Sequence, residues 1–198
     1  MSAQKKMKFL LDLNKKFNVS HINLCTEVEG PYKRLAIWFQ GCNILCEECC
    51  NPELQPLKKA HIMTVQEILD ITLNSRDKNG IEGVTLLGGE PTLQENLHIL
   101  CHALQLNNLG VILFTGKLKN ELPDYLIKNT DLIIDGKYLK NHNDTKRNLI
   151  GSTNQTIHFI TERYKDKKNW FYEIREKKVE INISSNKINY LIITGDVV

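Results

Sequence analysis

The stretch RLAIWFQGCNILCEECC, residues 34 to 50, decides how the chain is read. Its first half is a compact apolar run, Leu35, Ala36, Ile37, Trp38 and Phe39, that stops at Gly41, which predicts a buried strand running into a loop. Its second half fills that loop with thiols. Cys42, Cys46 and Cys49 fall within eight residues in the spacing Cys-x3-Cys-x2-Cys, close enough to bind neighbouring corners of one iron–sulfur cube. A structural zinc site would want four ligands, two of them on a second knuckle, and no second Cys-x2-Cys or suitable His pair occurs downstream. Three thiols on a four-iron cluster leave one iron open. Cys50 as a fourth ligand would close the cluster, but its adjacency to Cys49 makes bonding to another corner awkward, so it is assigned a supporting place. Cys25 and Cys101 read as small buried hydrophobes. His98, Cys101 and His102 share helical spacing and read as a helix surface without a further ligand.

Outward from this stretch the chain alternates between strand and helix patterns. Thr64 and Glu67 form a capping-box pair ahead of Ile68, Leu69 and Thr72, predicting a helix that ends before Asn79-Gly80. Val84 to Leu87 reads as a strand running into Gly88-Gly89. Leu93, Leu97, Leu100 and Leu104 recur at helical spacing, closed by Asn108 and Gly110. Val111 to Phe114 is the next strand, a short helix follows from about Lys119 to Lys128, and Asp131 to Asp135, with Leu-Ile-Ile at its centre, is the strand after it. Such alternation predicts an α/β fold with a parallel sheet, in which chemistry collects at the carboxyl ends of the strands. Cys42, Gly88, Thr115 and Asp135 all fall there. Further on, Val179 to Ile183 and Ile188 to Ile193 flank Ser184-Ser185-Asn186-Lys187, predicting an appended β-hairpin.

The chain has 198 residues, 41% of them apolar and 25% charged, values that suit one domain with an ordinary core and no membrane span. The prolines are scattered and no repeat or low-complexity linker divides the sequence. A single domain, 1–198, is expected, with a core at about 21–161 and a helix-and-hairpin extension at about 162–198. Met1 to Lys16 lacks the pattern of an export signal, which predicts a reducing cytoplasm where cysteines serve metal or redox chemistry. A net charge of +3 argues against nucleic acid. The one basic stretch, Arg163 to Lys178 with Trp170, Phe171 and Tyr172 inside it, reads as an amphipathic helix with a solvated face.

The second chemical feature sits at the next strand end: Gly88-Gly89-Glu90-Pro91. Two glycines let the backbone approach a ligand closely, and a helix starting after Pro91 would offer free N–H groups, with Glu90 favouring that terminus. Together, the Cys-x3-Cys-x2-Cys loop and this Gly-Gly-Glu-Pro resemble the radical S-adenosylmethionine (SAM) superfamily. Gly30-Pro31, Arg34, Ile37 to Cys42 and Cys49 to Pro52 are similar to the small activating enzymes of the anaerobic ribonucleotide reductase type. Asp131 to Gly136 and Gly151 to Gln155 agree with the same family, so the resemblance runs from about Gly30 to Ile160.

The resemblance implies a partial, open (β/α) barrel of the radical SAM type, a 4Fe-4S cluster on Cys42, Cys46 and Cys49, and SAM chelated at the open iron. It implies that Gly88, Gly89, Glu90 and Pro91 contact the amino end of SAM, and that Thr115 and Asp135 line the cofactor or a nearby cation site. Glu48 stands where relatives often have an aromatic. The chemistry implied is reductive cleavage of SAM to a 5′-deoxyadenosyl radical, fed by an electron donor such as flavodoxin or ferredoxin. That radical removes a hydrogen from a partner, first of all the glycine of a glycyl-radical enzyme. Modification of another peptide, deazaguanine-synthase-like chemistry on a small molecule, and a non-enzymatic electron carrier are the competing readings.

Overall fold

Every residue of β2 (Arg34–Phe39) is buried, as the apolar run predicts for a strand flanked on both edges and covered on both faces. The computed structural model describes residues 12–173, 179–183 and 191–195. Around β2 stand β1 (Lys16–Thr26), β3 (His61–Thr64), β4 (Gly83–Gly88), β5 (Gly110–Thr115), β6 (Leu132–Asp135) and β7 (Thr156–Phe159). They form one seven-stranded sheet in the order β3-β1-β2-β4-β5-β6-β7. The run β2-β4-β5-β6 is parallel, as the alternation predicts. The parallel expectation fails at the margins, because β1 pairs antiparallel with β2 and β3, and β7 pairs antiparallel with β6. β3 and β7 are the two edges, so the sheet is open and mixed.

The helices are α1 (Val65–Asn79), α2 (Leu97–Leu106), α3 (Asp124–Ile127) and α4 (Lys168–Tyr172). At the start of α1 the Thr64 hydroxyl accepts from the Glu67 N–H at 3.2 Å and Glu67 accepts from the Thr64 N–H at 2.7 Å, the reciprocal box expected from the sequence. Gly80 ends α1 with φ +69°, a left-handed residue that glycine adopts at little cost. The helix expected directly after Pro91 is instead a 3₁₀ turn, Pro91–Leu93, and α2 begins only at Leu97. Glu90 draws the turn tight by accepting from Thr92 N–H at 3.0 Å. The basic stretch also departs from one amphipathic helix. It is a 3₁₀ segment, Glu162–Lys167, followed by α4, with Tyr164 and Phe171 both buried. Residues 174–178 lie outside the described set.

One face of the sheet packs on α1, α2 and α3 through Leu35, Ile37, Phe39, Val84, Leu86 and Leu113 among others. The alternate residues, Arg34, Ala36, Trp38, Thr85, Leu87 and Ile112, face the other way, and this inner face is closed differently at its two ends. At the amino ends of the strands the buried Arg34 guanidinium donates to Thr85 Oγ1 (2.8 Å), Glu82 Oε2 (2.9 Å), Tyr164 OH (2.7 Å) and the carbonyls of Val84 (2.9 Å) and Gly110 (3.2 Å). Tyr164 OH also donates to Glu82, and Arg163 bonds the other Glu82 oxygen. Burial pushes the Tyr164 hydroxyl up from its ordinary value. At the carboxyl ends lies the cysteine loop.

β8 (Val179–Ile183) and β9 (Leu191–Gly195) pair antiparallel in a separate two-stranded sheet. The turn expected at Ser184 to Lys187 lies outside the described residues. Among the described residues no helix is long and apolar enough to cross a membrane.

Candidate metal and cofactor site

Gly41 is the joint between the two features singled out in the sequence. Its N–H donates to Leu54 O at 2.8 Å and its carbonyl accepts from Glu90 N–H at 2.8 Å, while Cys42 N–H reaches Gln55 O at 3.0 Å. The cysteine loop therefore leaves β2 and returns to the same place. The Gly-Gly-Glu turn is tied to that place as well, with Gly89 N–H on Phe39 O at 2.9 Å. The glycine pair meets this close approach of main chain. A Cβ on Gly89 would stand 2.2 Å from Gly41 O, and one on Gly88, whose φ is +119°, 2.3 Å from Phe39 N.

Within the loop Cys42 is buried, Cys46 and Cys49 are half-buried, and Cys50 is exposed. Leu45 and Glu48 hold positive φ, +49° and +50°, a costly conformation for residues with side chains. The segments that follow β5 and β6 support them. Ile44 packs over Gly116, the Tyr138 main chain stands beside Cys46, and Glu48 pairs with Lys140. Burial pushes the Cys46 thiol up, and the neighbouring Cys49 and Cys42 add to this against Tyr138 N–H and Lys137. The adjacent Cys50 thiol holds Cys49 down to about 6, and the same pairing pushes Cys50 up. Asn51 N–H lies on the Cys49 sulfur at 3.4 Å. The Cys49–Cys50 pair as a unit gives up its first proton readily, and a metal ligand must be a thiolate.

Among the described residues no three His, Cys, Asp or Glu side chains converge closely enough to hold a single metal ion. Three cysteines along one loop are a donor set that an iron–sulfur cube takes, which spreads its thiolates wider than a single ion does.

Glu90 is 1% exposed and its oxygens are engaged by the chain. Thr92 N–H, Thr92 Oγ1 (2.6 Å) and Thr115 Oγ1 (2.7 Å) donate to one, and Gly116 N–H (2.8 Å) to the other, so the side chain ties the ends of β4 and β5 together. Pro91 is buried beside it. Thr115 is buried too and accepts from Lys117 N–H at 3.1 Å. Asp135 is buried, accepts from Lys119 N–H at 2.6 Å and has His158 Nε2 2.9 Å away. By strand alternation Thr115 and Asp135 fall on the helix-packed side of the sheet. Cys101 points into the core beneath α2, and His98 stacks edge-on to Tyr125 at 4.6 Å, so the helical trio does not converge.

The Gly151 to Gln155 stretch folds back on the end of β6. Gln155 accepts from Gly151 N–H (2.9 Å) and Ser152 N–H (3.1 Å) and donates to Gly136 O (2.9 Å), and Asn154 donates to Lys137 O (2.8 Å). Both satisfy main-chain groups. Arg147, paired with Asp144 at 2.6 Å, clamps the stretch through the carbonyls of Gln155 and Thr153. Burial works to raise the Asp144 carboxyl, but the Arg147 and Lys146 N–H groups and the Arg147 guanidinium outweigh it and hold it below its ordinary value.

The thiol loop lies over the carboxyl ends of the parallel strands with the tied glycine turn beside it. By its relatives the chain is an iron–sulfur enzyme of the radical SAM kind, with a 4Fe-4S cluster and SAM as cofactors. The chain belongs to the family of the 4Fe-4S single cluster domain, whose model matches residues 28–158. It is 29% identical over 146 residues to the anaerobic ribonucleoside-triphosphate reductase-activating protein of Enterobacteria phage T4, covering 71% of this chain and 92% of that one. The protein of that name from Vibrio cholerae is 30% identical over 144 residues, covering 68% and 92%. The pyruvate formate-lyase-activating enzyme of Staphylococcus epidermidis is 32% identical over 71% of this chain and 60% of its own length. Among solved structures, QueE from Escherichia coli is similar at a TM-score of 0.47 and 14% identity, over 70% of this chain and 65% of that one.

Proposed function

We propose that the protein activates a glycyl-radical enzyme, by preference an anaerobic ribonucleotide reductase, by removing a hydrogen atom from a glycine of that partner. The observation that carries this reading is the match to two reductase-activating proteins over 92% of their length. Cys42, Cys46 and Cys49 would hold the cluster, with Cys50 beside Cys49. When bound there, a reduced cluster would supply the one-electron chemistry that cleaves SAM reductively. The chain's own part is positional. Gly88 and Gly89 present main chain to the amino end of SAM, Glu90 and Thr115 fix the distance between the ends of β4 and β5, and Pro91 stiffens the turn. Asp135 holds the start of the Lys119 turn against β6. Leu87 and Phe114, half-buried on the inner face, exclude water where a reactive radical must not meet it. An electron donor such as flavodoxin or ferredoxin is required.

The test is anaerobic. The protein is reconstituted with iron and sulfide, reduced with dithionite and given SAM, and 5′-deoxyadenosine is measured. A glycyl-radical enzyme encoded beside it is then added and its radical sought by electron paramagnetic resonance. The expected result is 5′-deoxyadenosine formation and a glycyl signal in the partner. No 5′-deoxyadenosine above background refutes the enzyme, and 5′-deoxyadenosine without a partner radical refutes the glycine substrate.

A further inference from the structure

Among the described residues, the inner face of the sheet carries two buried polar atoms with nothing to bond. His21 and Asn23 are two apart on β1, so their side chains share a face, and they stand in register with Trp38 and Ala36 of β2. The His21 and Trp38 rings are 4.9 Å apart. His21 Nε2 and Asn23 Nδ2 are buried and have no hydrogen-bond partner among the described residues, and Asn23 as a whole is 8% exposed. The Asn23 carbonyl oxygen accepts from Cys25 N–H at 3.2 Å, which identifies the amide nitrogen as the unpaired end. Burial, and then His61, hold His21 below its ordinary value, so the ring is neutral at pH 7 and brings one donor and one acceptor.

Native chains leave few buried polar groups unpaired, and two on neighbouring positions beside one tryptophan need a reason. The strand is bent to place them. Its register with β2 shifts between Val19 and His21 and again between Asn23 and Thr26, and such irregularities re-aim side chains near functional sites. The surroundings are apolar: Ala36, Trp38, Leu54 and Leu87. Trp38 is the penultimate residue of β2, directly below the departure of the cysteine loop. A polypeptide brought there loses water from its amides and must find partners in the wall. In an extended peptide, groups on one side repeat every second residue, the spacing of His21 and Asn23.

We infer that His21 and Asn23 are the main-chain recognition pair for a peptide segment presented to this face, Asn23 Nδ2 donating to a peptide carbonyl and His21 Nε2 bonding the neighbouring amide. The inference rests on the proposed abstraction from a protein substrate and names residues that read that substrate's backbone. Both atoms are shielded in the free chain, so the segment displaces a neighbouring side chain as it enters, and the Trp38 ring is the one in contact with His21.

The experiment uses reconstituted, reduced holoenzyme with SAM and the blocked tripeptide acetyl-Ala-Gly-Ala-amide dideuterated at the glycine α-carbon. Deuterium carried into 5′-deoxyadenosine is followed against peptide concentration. His21→Leu and Asn23→Leu are each expected to raise the peptide KM about threefold to tenfold, the loss of one hydrogen bond, with a smaller effect on the rate at saturation. His21→Gln, which restores a polar atom, should return KM to within about twofold of the native value. The thermal midpoint of His21→Leu should not fall, since it removes an unpaired polar group, whereas Asn23→Leu also removes the acceptor of Cys25 N–H and should lower its midpoint modestly. An unchanged KM in both Leu variants, a Gln variant as poor as Leu, or a His21→Leu KM effect that accompanies a lowered midpoint overturns the inference. Absence of deuterium transfer in the native protein is a separate result that overturns the substrate reading beneath it.

Discussion

Replacing Arg34 with Met should cost the chain several kilocalories of stability while leaving its thiol loop in place. Arg34 is fully buried and its guanidinium serves Thr85, Glu82, Tyr164 and three main-chain carbonyls. Methionine fills much of the same volume, so the loss is polar rather than steric. Removing one partner of a buried ion pair typically costs about 3–5 kcal/mol. The lower half of that range applies, because the Glu82 side chain is 25% exposed and keeps Arg163 and Tyr164. About 3–4 kcal/mol, at about 2–4 °C per kcal/mol for a chain of this size, lowers the thermal midpoint by about 6–16 °C. Urea unfolding of native, Arg34→Met and Arg163→Met proteins under anaerobic conditions tests this. Arg163 is 28% exposed and its deletion should cost no more than about 1 kcal/mol. A loss below about 1 kcal/mol for Arg34→Met, or equal losses for the two arginines, would refute the reasoning that the buried network holds the strands' amino ends together.

Gly89→Ala forces a Cβ to 2.2 Å from Gly41 O and should lower iron uptake on reconstitution, whereas Gly80→Ala, with nothing within 4 Å and only a left-handed φ to strain, should cost about 1 kcal/mol of stability and leave iron uptake alone. Lys140→Met, which releases Glu48 from its ion pair, should slow cluster assembly about twofold to fivefold, judged by the growth of visible charge-transfer absorption, and the charge-swapped pair Glu48→Lys with Lys140→Glu should recover most of it. The Asp144 carboxyl is held below its ordinary value, so its stabilisation is present above the unfolded value near pH 4 and is lost as pH falls through the folded value. Asp144→Asn should therefore lower stability at neutral pH and flatten the acid side of the stability curve, and a melting series from pH 7 to about 3 checks both.

The parts of the fold legible in the sequence are those whose signals are local. The run Leu35 to Phe39 ends at Gly41, and the Thr64–Glu67 box opens α1, because each needs only neighbours along the chain. β1 is not legible: Asn18, Ser20, His21 and Asn23 interrupt its apolar positions and its register slips twice, which destroys the period of two. β3 and β7 are four residues each, too short for periodicity. At the site, the thiol spacing and Gly88-Gly89 stand out, but the purpose of the glycines depends on Gly41 arriving from another strand. Glu90 looks like a helix terminus until Thr115 of β5 and Gly116 just after it are seen donating to it. His21 and Asn23 leave no linear trace. Arg34 does, since a cation at the head of a buried apolar strand demands a partner, and Glu82 immediately before β4 supplies it.

The segment from Gly41 to Gln55 begins and ends on one pair of main-chain hydrogen bonds, Gly41 to Leu54 and Cys42 to Gln55. In topological terms it is an insertion, an Ω-type excursion whose two feet stand together, so the hydrogen bonding of β2 to β1 and β4 closes below it without any of the cysteines. The metal-bearing piece and the load-holding sheet are therefore separable assets. Cluster loss by oxidation or chelation should leave a folded apoprotein able to be recharged, and the excursion can be exchanged for loops of other length or ligand spacing at the small entropic cost of loop closure.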